Sequence, residues 1–533
     1  MRLLVACVCL CVFVEYVTSN EYSNETETAD AVARQLPDFR QRHPPIGVWT
    51  VTSGEPIDIR DTITFNNLEI LNNKQLFRLM ALMDRERIPE RIVHAKGIGA
   101  YGYFEVTHDI SKYTTADVFN GVGKRTPVVG RFSTAIQNLG GSDLTRETKA
   151  LSMKLYTQQG NLDFLALNFP IFLYRDPIDF LQFAHAFKRN PRTDIFDNNA
   201  RWDFILGKPE FLHTVLYLNS DLSLPDGYRK MNIFPIHAYE LYNKHGERFY
   251  VRFNFRTNLG LVNLTDAQGA AIAIEDPDYY NRDLYNAIAG KEYPSWRLDM
   301  DILTKHQLTK LDYDPFDVTR LWKRGTYHTV TVGQLVFNRL VDNNFKDIEQ
   351  SAFCPDNLVP GILGPPDIVF KSRAVFYHDA QNYRLGANHA NIAVNAPNYD
   401  KNYNRDGKPP LLDNMKDAPN YYPNSFNGPM PYVDENRPTD RLHILHRNAV
   451  DLQPMAEFYN EIVEDDAHRQ RIANRLALSL VNVSPDIEKK ALHLLSLVDP
   501  DLGKRVKGDL ITLRAVVTAE RRSRIAECIA SAN

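Results

Sequence analysis

Residues 97–102, Gly97-Ile98-Gly99-Ala100-Tyr101-Gly102, match G-x-G-x-x-G, and the six residues after them decide the fold class. In a dinucleotide-binding unit this motif opens a helix whose N-terminus faces a pyrophosphate. Here it runs into Tyr103-Phe104-Glu105-Val106-Thr107-His108, β-rich and broadly alternating, so the glycines read as a bend feeding a strand. That excludes a doubly wound nucleotide fold. Strand signals recur over about 100–340, at Pro127–Ser133, Ser152–Thr157, Phe164–Asn168 and Phe249–Phe255. Gly, Asn and Asp bound them and few helical patterns intervene, which predicts an antiparallel β architecture.

Immediately before the glycines, Asp84, Arg85, Glu86, Arg87, Glu90 and Arg91 surround Pro89, which stops any helix. Ile92 and Val93 then place an apolar wall beside His94. Taken alone, His94 fits either a satisfied core histidine or a buried functional site.

Residues 20–75 are polar, proline-dotted and weakly periodic, the pattern of an extended arm. Residues 340–455 are rich in Pro, Asn and Gly but carry Phe and Tyr throughout, and read as a long packed wrapping segment. Within it Pro365-Pro366-Asp367 opens a helix capped by Asp367 and closed by Gly386. Arg373, Tyr377 and Arg384 fall on one face of that helix, at i, i+4 and i+11. From 456 to 533 helix returns: Ile472, Leu476 and Leu480 repeat at four-residue spacing, and a second run spans Ile487–Val498.

Lysine plus arginine is 62 against 66 acidic residues, a net charge of −4, so nothing favours a nucleic-acid or membrane partner. Residues 1–19 read as a signal peptide: a basic start, an apolar run from Leu3 to Val14 too short to span a bilayer, and a small-x-small site at Val17-Thr18-Ser19. The expectation is a secreted, extracellular protein. Cys7, Cys9 and Cys11 would leave with that peptide, so Cys354 and Cys528 remain, as one bridge or as two buried thiols. Sequons stand at Asn24, Asn263 and Asn482, and Ser531-Ala532-Asn533 is no peroxisomal address.

The run Arg87 to Gly97, RIPERIVHAKG, resembles the active-site signature of the haem catalases. Arg131-Phe132-Ser133-Thr134, Arg175-Asp176-Pro177, Glu275–Tyr279, Asn338-Arg339, Arg373–Tyr377, Arg384-Leu385-Gly386 and Pro419–Phe426 resemble further family segments in the same order, over residues 40–500. The resemblance implies an α+β fold: an eight-stranded antiparallel β-barrel haem domain over 76–339, the wrapping segment, and a C-terminal helical domain. It also implies a homotetramer laced by the arm, b-type haem as cofactor, and hydrogen peroxide as substrate.

By motif position, Tyr377 would be the axial ligand of the haem iron. A phenol titrates near pH 10 in water, and a ferric ion with Arg373 one turn away would favour its anion. Arg91, Arg131 and Arg384 are the cations for the two propionates, suited by their forked geometry. Val93, Phe172 and Phe180 match residues lining the macrocycle. On the distal side His94 would move a proton between the peroxide oxygens, and Ser133 matches the hydroxyl that fixes its tautomer.

The sequence departs from the family at the third distal position, normally an asparagine whose amide donates to peroxide. Counting back from Pro170 puts Leu167 there, and leucine has no donor. Asn168 is adjacent, but successive strand residues face opposite sides, so it points away unless a bulge re-registers it. Smaller departures are Glu147 for a channel aspartate, Ala135 for a channel valine and Gln381 for a histidine in the proximal helix. At the family's NADPH site His213, Ser220, Asn232 and Trp322 match and Arg256 stands for a lysine, while Leu222 replaces an arginine and Arg324 a histidine, which leaves NADPH binding open. The expected function is decomposition of hydrogen peroxide to water and dioxygen, at an efficiency reduced by Leu167. The alternatives are a secreted haem peroxidase acting on an organic donor and a haem-binding pseudo-catalase.

Overall fold

The structure, a computed structural model, describes residues 30–58, 74–404, 406–407, 415–440, 442 and 450–532. Residues 1–19, read above as a signal peptide, and the sequon at Asn24 lie outside them. The chain divides into two compact units, one holding the described residues up to Arg87 with Tyr285–Gly290, the other Ile88–Leu284 and Lys291 onward.

In the first unit, part of the stretch read as an extended arm is a helix, α1, Ala31–Arg42. Its N-cap Asp30 accepts from the Val32 amide at 3.0 Å, and Ala31 N–H donates to Asn286 Oδ1 at 2.9 Å. None of its residues is buried, and Pro37 stands inside the short stripe of Val32, Leu36 and Phe39, so the segment reads from sequence as irregular; the Asp30 cap starts it.

The second unit is built on an antiparallel sheet. Its strands are β1 (Gly97–Val106), β2 (Arg125–Thr134), β3 (Lys149–Thr157), β4 (Gly160–Leu167), β5 (Tyr239–Tyr242), β6 (Arg248–Thr257), β7 (Ser295–Thr304), β8 (His328–Leu340) and the two-residue β9 (Ile362–Leu363). They order as β4-β3-β2-β1-β8-β7-β6-β5-β9. All eight expected strands are present. The sheet curls as a half-barrel with a ninth strand at one edge, and isolated bridges Leu167↔Phe234 and Ile233↔Phe255 link β4 to β6.

Every position of β2 from Val128 onward is buried, so each of its faces meets protein. Phe132 packs on Tyr228, Trp296 and Phe337 with ring centroids 5.3–5.8 Å apart, in the core. Arg131 and Ser133 point to the opposite face, where function is placed. The glycines of β1 open that face: a Cβ on Gly97 would lie 2.8 Å from the Arg131 guanidinium carbon, and one on Gly99 would strike the Ile348 side chain. Close packing, not phosphate binding, explains the G-x-G pattern.

Four further helices complete the second unit's main elements. Helix α2, Ile368–Leu385, carries Arg373, Tyr377 and Arg384; Asp367 caps it by accepting from Phe370 N at 2.8 Å, and Gly386 closes it with φ 100. Helices α3 (Asp466–Leu480), α4 (Pro485–Val498) and α5 (Pro500–Ala532) form the C-terminal region, and Ile472, Leu476 and Leu480 sit fully buried in one core with Leu212, Leu216 and Leu495. Among the described residues no helix is long and apolar enough to cross a membrane. Cys354 is a buried free thiol, pushed up to about 11 by burial.

Candidate active site

His94 comes after the Pro89 turn with φ 65, a left-handed backbone that costs a non-glycine residue about 1–3 kcal/mol. Hydrogen bonds to neighbouring elements hold it there. His94 N–H donates to Ala135 O at 2.8 Å, and Arg131 donates from Nη1 to His94 O and from Nη2 to Ala95 O, each at 2.8 Å. Ser133 Oγ lies 3.0 Å from His94 Nδ1, which leaves Nε2 as the nitrogen able to exchange a proton with a ligand. His94 is half-buried. Burial, then the charges of Arg131, Arg373 and Arg91, push its pKa down to about 3, so it is a neutral base at physiological pH. The charge of Arg373, carried on α2, is thus among those that reach His94.

The register places Leu167. Gly97 pairs with Ser133, Ser133 with Ala150 and Ala150 with Leu167, one lateral row on the face that carries the His94 partner. The β3–β4 ladder runs without a bulge through that pair, so Asn168 turns to the other face. There its Oδ1 accepts from Lys149 N at 2.9 Å and its Nδ2 donates to Leu222 O at 3.0 Å, so its amide is engaged away from the site.

On the proximal side Arg373 Nη2 donates to Tyr377 Oη at 3.3 Å. Arg373 Nη1 donates to His237 Nε2 at 2.8 Å, and His237 Nδ1 donates to Asp367 Oδ2 at 3.0 Å. Asp367 can only accept, which fixes His237 as the Nδ1–H tautomer. Burial holds His237 neutral against the pull of Asp367. The Asp367 carboxyl stays ionised: burial would raise it, but His237, the Phe370 amide and Arg373 together hold it below its ordinary range. A line Asp367–His237–Arg373–Tyr377 thus aims a hydrogen bond at the phenol oxygen. Phe172 lies under the Arg373 guanidinium at 5.5 Å, and Phe172 and Phe180 pack with Tyr174 and Val369 at the start of α2. Val93, half-buried, precedes His94 in the loop.

Arg91, Arg131 and Arg384 form one cationic cradle. Arg91 donates to Glu349 Oε1 at 3.1 Å, and Arg384 donates to Glu349 O at 2.6 Å and Ser351 O at 2.8 Å. Burial lowers the pKa of Arg91 and Arg131, and with Arg91 beside it brings Arg384 down to about 9. Arg91 and Arg384 share the one Glu349 carboxylate, while Arg131 has no carboxylate in contact and its Nε is buried without a partner. This uncompensated positive charge fits a dianionic group, and a haem with two propionates is one.

Spacing along the chain did not reveal His237 or Glu349, because their partners are 136 and 258 residues away. Asp367 was legible only as a cap. Glu147 is buried and accepts from Ile136 N and Thr145 Oγ1, and Gln381 Oε1 accepts from Arg384 Nη2 at 2.9 Å. His213, Leu222, Asn232, Arg256, Trp322 and Arg324 line a separate cavity of about 500 Å³. Ser220 does not line it; it is buried and donates to Tyr217 O.

A curled antiparallel sheet whose neutral, oriented histidine shares a site with an arginine-backed tyrosine defines an oxidoreductase of the peroxide-handling class. The Catalase family model matches residues 50–428, and the model described as Catalase-related immune-responsive matches residues 453–510. Catalase-2 of Caenorhabditis elegans is 38% identical over 493 residues, covering 90% of this chain and 98% of that protein. The catalase of Cavia porcellus is 42% identical over 435 residues, covering 80% and 82%. Among solved structures a fungal catalase superposes with a TM-score of 0.82 at 31% identity, covering 88% of this chain and 98% of that one. Catalase A from Saccharomyces cerevisiae gives 0.81 at 31% identity, covering 88% and 99%. The chain belongs to the catalase family and is a catalase-type oxidoreductase acting on hydrogen peroxide.

Proposed function

We propose that the chain disproportionates hydrogen peroxide to water and dioxygen on a b-type haem, as a secreted homotetramer, and more slowly than relatives with an amide donor at the position of Leu167. The observation that carries this is the pairing of a Ser133-oriented His94 with the Asp367–His237–Arg373–Tyr377 line around one site. Tyr377 would hold the iron, Arg91, Arg131 and Arg384 the propionates, and Val93, Phe172 and Phe180 the ring. When bound, the haem supplies the two-electron redox chemistry that peroxide cleavage and dioxygen release require.

Neutral His94 accepts a proton from one peroxide oxygen at Nε2 and returns it to the other, while Ser133 holds Nδ1 and keeps the ring from turning. The left-handed backbone and the Arg131 clamp fix where that nitrogen points. Leu167 donates nothing, so the peroxide is oriented through His94 without the second contact an amide would give. An apolar distal side, with Leu167 in place of a donor and Ala135 where the family has a channel valine, also favours the second reading, oxidation of an organic donor at the expense of dioxygen release.

The cavity bearing His213 is the candidate NADPH site: His213 Nε2 is buried without a partner and lines it, as do Arg256 and Arg324, while Leu222 offers a phosphate nothing. The apolar N-terminal run supports secretion. Oxygen evolution from haem-loaded protein fed hydrogen peroxide, with the visible spectrum in the same cuvette, tests the main reading. Steady dioxygen release is expected; loaded haem with no dioxygen but rapid donor oxidation would establish the peroxidase instead.

A further inference from the structure

The cradle contains a residue that the catalytic reading does not use. Glu349 ends a π-helical turn, Phe345–Glu349, a rare element that is frequent at functional sites. The turn delivers both its carboxylate and a row of carbonyls to the same arginines. Arg91 Nη1 donates to Glu349 Oε1 at 3.1 Å, and Arg91 Nη2 donates to the carbonyls of Ile348, Glu349 and Ser351 at 2.9–3.1 Å. Arg384 reaches the Glu349 and Ser351 carbonyls and stands 3.9 Å from the Glu349 carboxylate. The side chains involved are largely buried, with relative exposures of 12%, 3% and 18% for Arg91, Arg384 and Glu349. The charges of Arg131 and Arg384 also respond to Glu349.

We propose that Glu349 is the chain's own anion on this cradle, a positioning residue that shares Arg91 and Arg384 with the propionates of a bound haem and so sets how tightly those propionates are held. The proposal rests on the haem reading of the site. Three guanidiniums then face three carboxylates, two from the cofactor and one from the chain, and charge balances. Without a cofactor Glu349 and the carbonyls keep both guanidiniums extended toward the site. With one bound, the Glu349 carboxylate competes for them, because an arginine shared between two carboxylates binds each less strongly.

Two variants separate this from a purely structural strut. E349Q removes the charge but keeps an acceptor oxygen; E349D keeps the charge on a shorter arm. In the ferric holoprotein, resonance Raman reads the propionate bending band, and transfer to excess apomyoglobin reads haem loss. With competition removed, E349Q should shift the band upward, as stronger propionate hydrogen bonding does, and slow haem loss several-fold, with E349D intermediate. A strut predicts the opposite sign, since slack arginines would release haem faster. Faster loss from E349Q, or a wild-type band and rate, overturns the proposal. If E349Q does not fold, E349D decides: an unshifted band refutes it. A wild-type chain that takes up no haem would instead remove the functional reading beneath it, a failure seen before any variant is made.

Discussion

Leu167→Asn should raise turnover. Position 167 lies in the lateral row Ser133–Ala150–Leu167, two strands from the hydroxyl that holds His94, roughly 10 Å away at the usual strand spacing of about 4.8 Å. In sites where charge develops on oxygen one positioned donor is worth roughly 10²–10³ in rate. His94 already carries the proton here, so we expect about a tenfold gain in kcat, about 1.4 kcal/mol of barrier. Trading a half-buried leucine for an amide costs roughly 1–2 kcal/mol of stability, so rates should be measured well below the melting transition. The assay is initial dioxygen release per haem at fixed peroxide, with donor oxidation measured in parallel. An L167N holoprotein with an unchanged haem spectrum and unchanged dioxygen release would refute the distal assignment. The neighbouring Asn168 should be left intact, since both ends of its amide are engaged.

Ser133→Ala leaves His94 Nδ1 without its partner and frees the ring, so kcat should fall about fivefold, near 1 kcal/mol, with haem content unchanged. Arg373→Ala deprives Tyr377 of its donor and strands His237 Nε2; haem loading should drop, the visible spectrum should change, and stability should fall by about 3 kcal/mol, as seen in a melting curve. Acid should destabilise the fold through His94: its pKa of about 3 in the folded chain lies below 6.5 when unfolded. The unfolded state therefore binds the extra proton, and stability is lost as pH falls from 6.5 toward 3, by at most roughly 5 kcal/mol. Denaturant midpoints across that range should flatten in His94→Gln.

The strand segments were legible because β-branched and aromatic residues recur between glycine and asparagine breaks, and Ile472, Leu476 and Leu480 because a buried helix face repeats at 3–4 residues. The row through Leu167 was legible by counting from Pro170 and by strand alternation. Helix α1 was not, because its apolar stripe, Val32, Leu36 and Phe39, is short and Pro37 stands inside it. The roles of His237 and Glu349 were not legible either. A hydrogen bond across 136 or 258 residues depends on which strands and helices meet, and no local spacing encodes that. The left-handed backbone of His94 was equally hidden, since histidine carries no conformational signature of the kind glycine does.

Asp367 divides its two oxygens between different tasks: Oδ1 on the amide that starts α2 and Oδ2 on the histidine behind Arg373. The helix presenting the tyrosine therefore cannot fray at its first turn without also relaxing the polar line that conditions that tyrosine. Local opening there is a loss of function before it is a loss of fold, and heat or denaturant should silence this enzyme while most of its sheet is still intact.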